Sequence, residues 1–196
     1  MLDYKEFRSS IKSGDQLFFT GSGNGGLINK AIFLIIQFMT RSRFGHVGIA
    51  YVTGDRVFVV EAVTPRVQLI PLSMKGDFVH IDMSGVFQRF SLLDEQKLLD
   101  TIGHRYGTIN AVRSAFLKPS TTDSLFCSQM SIDFIKDTRG KDYGEDGYTP
   151  GDLFATLLNN NFHSTAVKNG ETNLTDLLSS VVVPEEENTD DTQTDK

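Results

Sequence analysis

Three residues able to act together in nucleophilic catalysis sit far apart in the chain, each in an unusual local setting. Cys127 is the one cysteine among 196 residues and opens the run CSQMSIDFIKD, whose apolar spacing predicts a helix. At a helix start the dipole and unpaired backbone N–H groups favour a thiolate, so the thiol pKa should fall. His46 opens the apolar run HVGIAYV, and Glu61 interrupts VFVVEAV, where every neighbour is apolar. An imidazole beside the thiol would serve as its base, and a carboxylate behind the imidazole would hold its tautomer. The chemistry would be thiolate attack on a carbonyl. Each residue also has a plainer reading. Most free cysteines are small buried hydrophobes, a histidine at a strand end is commonly a packed rim residue, and Glu61 could sit on the solvent side of a half-exposed strand.

Register tests whether His46 and Glu61 belong together. They lie on consecutive predicted strands, His46 to Val52 and Arg56 to Val63. A connection of two or four residues makes facing residue numbers sum to 109. Gly48 then opposes Glu61, and Glu61 is diagonal to His46 on one face. A three-residue connection would throw Glu61 to the other face. The even loop is a condition for the pair, and the sequence leaves it open.

The surrounding elements suggest an α+β domain. A short amphipathic helix is predicted over residues 4 to 12, a buried strand over Gln16 to Thr20, and a helix buried in the core over Leu27 to Thr40. Two further strands, Val67 to Leu72 and Phe78 to Met83, follow the histidine and glutamate strands without intervening helices, which indicates an antiparallel sheet. Ser91 with Asp94 resembles a capping box for a helix running to about Gly103. Further helices are expected over Ile109 to Leu117, over Cys127 to Asp137, and from Thr149 (N-cap) and Pro150 (N1) to about Asn159, with a polar loop at 119 to 123. The expected organisation is a catalytic domain over 1–160, a polar extension over 161–183 and a disordered acidic tail over 184–196.

Composition removes several function classes. The chain carries 19 Lys+Arg against 25 Asp+Glu, a net of -6. Six acids and one base fall between Pro184 and Lys196, so residues 1 to 183 are close to neutral. A basic nucleic-acid footprint is therefore not expected. A single cysteine forbids an internal disulfide and a multi-cysteine metal site, and it suits a reducing compartment. No signal peptide is read at the N-terminus. The apolar stretch Leu27 to Met39 would span only about 20 Å as a helix, short of a bilayer core of about 30 Å. A cytoplasmic location without a transmembrane segment is the expectation.

One motif points elsewhere. Gly21, Gly23 and Gly26 match G-x-G-x-x-G between a predicted strand and helix. Yet no acid lies between Asp15 and Asp55 to hold a ribose, and no alternating β-α-β series follows. A flexible or substrate-lining loop is the better reading. Asp142, Glu145 and Asp146 do not have the spacing of a calcium loop, so no metal is expected there.

The runs GDQLFF (14–19), SRFGHVGIAY (42–51), VVEAV (59–63), Tyr106 and FCSQM (126–130) resemble the circularly permuted NlpC-type papain-fold hydrolases, in particular the YaeF/YiiX-like branch. The resemblance covers about residues 13 to 155, and the order of histidine before cysteine is its distinguishing mark. It implies a papain-like fold with His46 as base, Glu61 as its orienting partner and Cys127 as nucleophile. Tyr106 resembles the family's tyrosine before the cysteine helix, which would bind an oxyanion or line the cleft; a packed core tyrosine is the plainer reading. Gly45 stands where the family has Ser, and Gln129 where it has Glu. Gly45, Arg43 and Tyr106 are candidates for substrate or oxyanion contacts. The expected function is a cysteine hydrolase acting on an amide or (thio)ester in a peptide, conjugate or lipid, with no cofactor. A lipid acyltransferase or phospholipase of the same fold, or a binding module without chemistry, is the alternative.

Overall fold

The computed structural model describes residues 1–21, 31, 34, 37, 38, 42–87, 89–105, 127–144 and 149–169. In chain order these form β1 (Leu2–Asp3), α1 (Tyr4–Phe7), β2 (Gln16–Phe19), β3 (His46–Thr53), β4 (Arg56–Ala62), β5 (Val67–Pro71), β6 (Phe78–Ile81), α2 (Leu92–Asp100), α3 (Cys127–Arg139), α4 (Pro150–Asn159) and β7 (Ser164–Lys168). The architecture is mixed α+β, with one seven-stranded sheet in the order β1-β7-β6-β2-β3-β4-β5. Every pairing is antiparallel except that of β1 with β7. The expected all-antiparallel sheet is thus corrected at one edge. There the first and last strands of the fold lie side by side, with the rest of the chain as their crossover.

The β3–β4 hairpin carries the register on which the site depends. Its loop is Gly54-Asp55, with Gly54 at φ 59°, a left-handed conformation that glycine adopts without a Cβ clash. Thr53 pairs with Arg56 and Ile49 with Val60, so the even register holds and Glu61 falls on the same face as His46. Gly48 is needed at the close approach of the two strands. A Cβ there would lie 2.4 Å from Val59 Cγ2 and 3.1 Å from the Val60 carbonyl oxygen.

Side-chain alternation divides the core between the two faces of the sheet. Phe18, Val47, Ile49, Val60 and Ala62 pack with Met130, Ile132, Phe134 and Ile135 of α3 and with Leu153 and Leu157 of α4. Leu17, Phe19, Ala50, Val57 and Val59 pack on the opposite side with Tyr4, Ile11 and Leu72. An aromatic triangle of Phe18, Phe44 and Phe154, at centroid distances of 4.5–5.4 Å, fastens α4 to the loop that leads into His46.

Helix termini follow the capping signals. Ser91 and Asp94 form both bonds of a capping box at α2, as do Thr149 and Asp152 at α4 with Pro150 in the first turn. Asp94 also takes a bidentate pair from Arg139 Nη1 and Nη2 at 2.7 and 2.6 Å. The guanidinium bonds, with those from Ser91, hold the Asp94 carboxyl at about 2. This pair ties the end of α3, the helix that Cys127 begins, to the start of α2.

Several expectations need correction. The helix expected over 4 to 12 stops at Phe7 and passes through a 3-10 turn at Arg8–Ser10, because the chain then extends to bury Ile11. Ala31, Leu34, Gln37 and Phe38 are helical, but Leu34 is 62% and Phe38 83% exposed. The uniform apolarity of Leu27 to Thr40 suggested burial on all sides. Its polar Gln37 instead turns inward, donating to the carbonyls of Thr20 and Arg43. Ser164–Lys168, placed in a polar extension beyond residue 160, is a strand between β1 and β6, so the sheet domain continues past that boundary. Its backbone bonds to both neighbours secure it despite polar side chains. Tyr106, the expected helix over Ile109 to Leu117, the polar loop at 119 to 123, Gly23 and Gly26, and the acidic tail lie outside the described residues.

Candidate active site

His46, Glu61 and Cys127 come together at the end of the sheet where β3 begins. His46 is the first residue of β3, and its ring stacks on Phe19, its cross-strand neighbour on β2, at 5.8 Å between centroids. Cys127 is the first residue of α3, which packs on the other face. Meeting at the strand's first residue lets the imidazole reach a thiol that belongs to the helix side. A histidine two or four residues further along β3 would have the body of the sheet in between.

The imidazole of His46 stands between the carboxylate and the thiol. His46 Nε2 lies 2.7 Å from Glu61 Oε2. Cys127 interacts with the same ring, the thiolate and the imidazolium each favouring the other's charged form. With Nε2 engaged by Glu61, Nδ1 is the ring nitrogen left to serve the thiol. The backbone N–H groups of Val47 and Ser128 also favour the thiolate. Glu61 is fully buried, which rules out the solvent-face reading of this residue.

Burial opposes charge on all three groups, and their mutual contacts outweigh it. Burial works against the imidazolium, but the Cys127 thiolate and hydrogen bond, followed by Glu61, raise His46 to about 9. Burial would push the Glu61 carboxyl up, yet the His46 hydrogen bond and charge, then Lys75, hold it at about 2. Burial would also raise the Cys127 thiol; the His46 charge and hydrogen bond, with the two backbone N–H groups, bring it below its ordinary value. The shifts thus favour the charged forms of all three groups, thiolate, imidazolium and carboxylate, over their neutral forms. Cys127 is 1% exposed and the His46 side chain 12%, so little water screens the pair.

Two further partners of Glu61 escape a reading of motifs. Gln68 Nε2 donates to Oε1 at 3.2 Å from β5, and Lys75 Nζ bridges both carboxylate oxygens at 2.8 Å. Gln68 had a signal, because a hairpin closed by a four-residue turn at 63–66 sets it opposite Glu61. Lys75 had none, since it follows an irregular 3-10 turn at Leu72–Met74.

Gly45 and Arg43 lie in the segment that leads into His46. Gly45 is buried immediately before His46. The Arg43 guanidinium lies over the rings of Phe44 and Phe154, at 4.7 and 5.8 Å, and burial lowers its pKa. Gln129 donates to Asp133 Oδ1 one turn along α3, so it braces the helix. A second buried pair, His80 Nε2 with Asp15 Oδ2 at 2.7 Å, was unforeseen. Asp15 also accepts from the N–H groups of Lys12 and Met83, so this pair ties the turn before β2 to β6.

No protein-family model matches the chain, and no curated protein matches it. Among solved structures it is similar to one described as the crystal structure of metalloprotein YiiX from Escherichia coli O157:H7, DUF1105. The two share 21% identity over 68% of this chain and 69% of that chain, with a TM-score of 0.49. Among the described residues no group of three His, Cys, Asp or Glu side chains is arranged to hold a metal ion, and no helix is long and apolar enough to cross a membrane.

Proposed function

We propose that the chain is a papain-like cysteine hydrolase that opens an amide or (thio)ester through a covalent acyl-enzyme. The observation that carries this reading is the 2.7 Å hydrogen bond from His46 to the buried Glu61, beside a Cys127 thiol at a helix N-terminus that interacts with the same imidazole. The Cys127 thiolate attacks the substrate carbonyl carbon, and negative charge moves to the carbonyl oxygen, which the N-terminal N–H groups of α3 are suited to stabilise. As the intermediate collapses, His46 gives its Nδ1 proton to the departing amine, alcohol or thiol. The neutral imidazole then takes a proton from water. The resulting hydroxide attacks the thioester, releasing the acid and restoring the thiolate–imidazolium pair. Throughout, Glu61 holds the Nε2–H and fixes the ring.

A second reading, a lipid ester in place of an amide, is favoured by one observation. Leu34 and Phe38 present an exposed apolar face on the helical segment whose Gln37 bonds the Arg43 carbonyl, three residues before His46. An acyl chain could rest on such a face.

The test is turnover of a panel of peptide anilides, thioesters and phospholipid vesicles, with acid-quenched protein weighed intact. An acyl adduct on the wild type that is absent from Cys127→Ala is the expected result. The rate should hold at neutral pH and fall along an alkaline limb near 9, where His46 loses its proton. No adduct and no turnover from any class, in folded protein, would instead favour a binding module.

A further inference from the structure

We infer that Lys75 is a positioning residue of the proposed active site, setting through Glu61 how firmly His46 holds its proton. The inference rests on the hydrolase reading and extends it to a fourth side chain. Lys75 Nζ is 2.8 Å from each oxygen of Glu61, and one of those oxygens, Oε2, is also 2.7 Å from His46 Nε2. Its side chain is only 14% exposed, and Nζ lies 5.1 Å above the ring of Phe19, the same ring on which His46 stacks. The lysine backbone is clamped as well. Its N–H donates to Leu72 O, while its carbonyl accepts from Asn169 Nδ2, which also bonds Leu72 O. A long side chain held at both ends loses much rotamer freedom, a cost that a merely solvated lysine would not bear.

Two cations share one buried carboxylate. Lys75 keeps Glu61 ionised, so that the carboxylate can accept from Nε2. It also divides the negative charge and repels the imidazolium, so His46 holds its proton less firmly than Glu61 alone would make it. A catalytic acid that binds its proton too tightly gives it slowly to the leaving group. Among the described residues the charged and titratable groups acting on His46 are Glu61 from β4, Cys127 from α3 and, through the carboxylate, Lys75. Gln68 from β5 adds a neutral donor.

The test is an NMR titration of the His46 ring in wild type, Lys75→Met, Lys75→Gln and Lys75→Arg. The signal is assigned by its loss in His46→Ala, and melting curves confirm folding. Gln keeps a donor toward Glu61 and provides a milder neutral variant if Met does not fold. In the neutral variants the titration should move upward by on the order of one pH unit. The arginine variant should return it close to wild type. With a turned-over substrate, kcat should fall about tenfold at unchanged KM, because Lys75 acts through Glu61 and not on the substrate. A His46 titration unmoved in folded Lys75→Gln would overturn the inference. The titration needs no substrate, so a shifted His46 in a protein that turns nothing over would count against the hydrolase reading alone.

Discussion

Cys127→Ala is expected to bring turnover of the best substrate down to its background rate while leaving the protein folded. The substitution removes one buried sulfur, a small cavity costing about 1 kcal/mol in a core that α3 fills chiefly with Met130, Ile132, Phe134 and Ile135. Losing the nucleophile of a serine-protease triad has cost about 10⁶ in rate. A loss on the order of 10⁴ to 10⁶ is therefore expected here, read as initial rates beside a melting curve. His46→Ala should cost less than Cys127→Ala, because the Val47 and Ser128 N–H groups and the start of α3 still favour the thiolate. A folded Cys127→Ala protein with wild-type turnover would remove the nucleophile from the mechanism.

Glu61→Gln carries the second large effect, and it falls on both rate and stability. The amide can present the wrong hydrogen-bonding group to Nε2. In a serine-protease triad loss of the orienting carboxylate has cost about 10⁴. A thiolate already ionised depends on it less, so a loss on the order of 10 to 10³ is expected. The substitution also strips Lys75 of its carboxylate in a nearly closed site, at about 2 to 4 kcal/mol. That is a large share of a typical domain's 5–15 kcal/mol, yet the fold should survive. The pH dependence follows from the directions of the shifts. Glu61, lowered from 4.5 to about 2, contributes stability above 4.5 that fades as pH falls. His46, raised from 6.5 to about 9, contributes below 6.5 and fades as pH rises through 9. The wild-type advantage over Glu61→Gln in denaturant titrations should thus be widest between these limits. Full activity in the folded variant would reduce the site to a Cys–His dyad.

How much of this could be read from the chain differs by element. Ser91 with Asp94 and Thr149 with Pro150 and Asp152 are short-range signals, and both helices begin where they say. The His46–Glu61 pairing followed from one local choice, a two-residue turn, because strand periodicity then carries the register to every later residue. Contacts made across the fold left no such trace. Lys75 reaches Glu61 from an irregular turn, and His80 meets Asp15 across a β2–β6 pairing that skips three strands. Ser164–Lys168 has little apolar character, since two flanking strands secure it through backbone bonds. Leu34 and Phe38 show the converse failure. Apolarity on every side of a segment predicts burial, but among its described residues Leu34 and Phe38 are exposed while the polar Gln37 bonds within the fold.

The charge state of Cys127 decides whether the proposed chemistry can begin, and one measurement reads it without a substrate. The chain holds a single cysteine, so the ultraviolet thiolate absorbance of wild type minus Cys127→Ala, followed against pH, reports that residue alone. A thiol held by His46 at the start of α3 should show thiolate well below the ordinary thiol range near 8.5, and His46→Ala should move its appearance upward. A wild-type thiol that titrates at or above that range, unmoved by His46→Ala, would contradict the proposed chemistry.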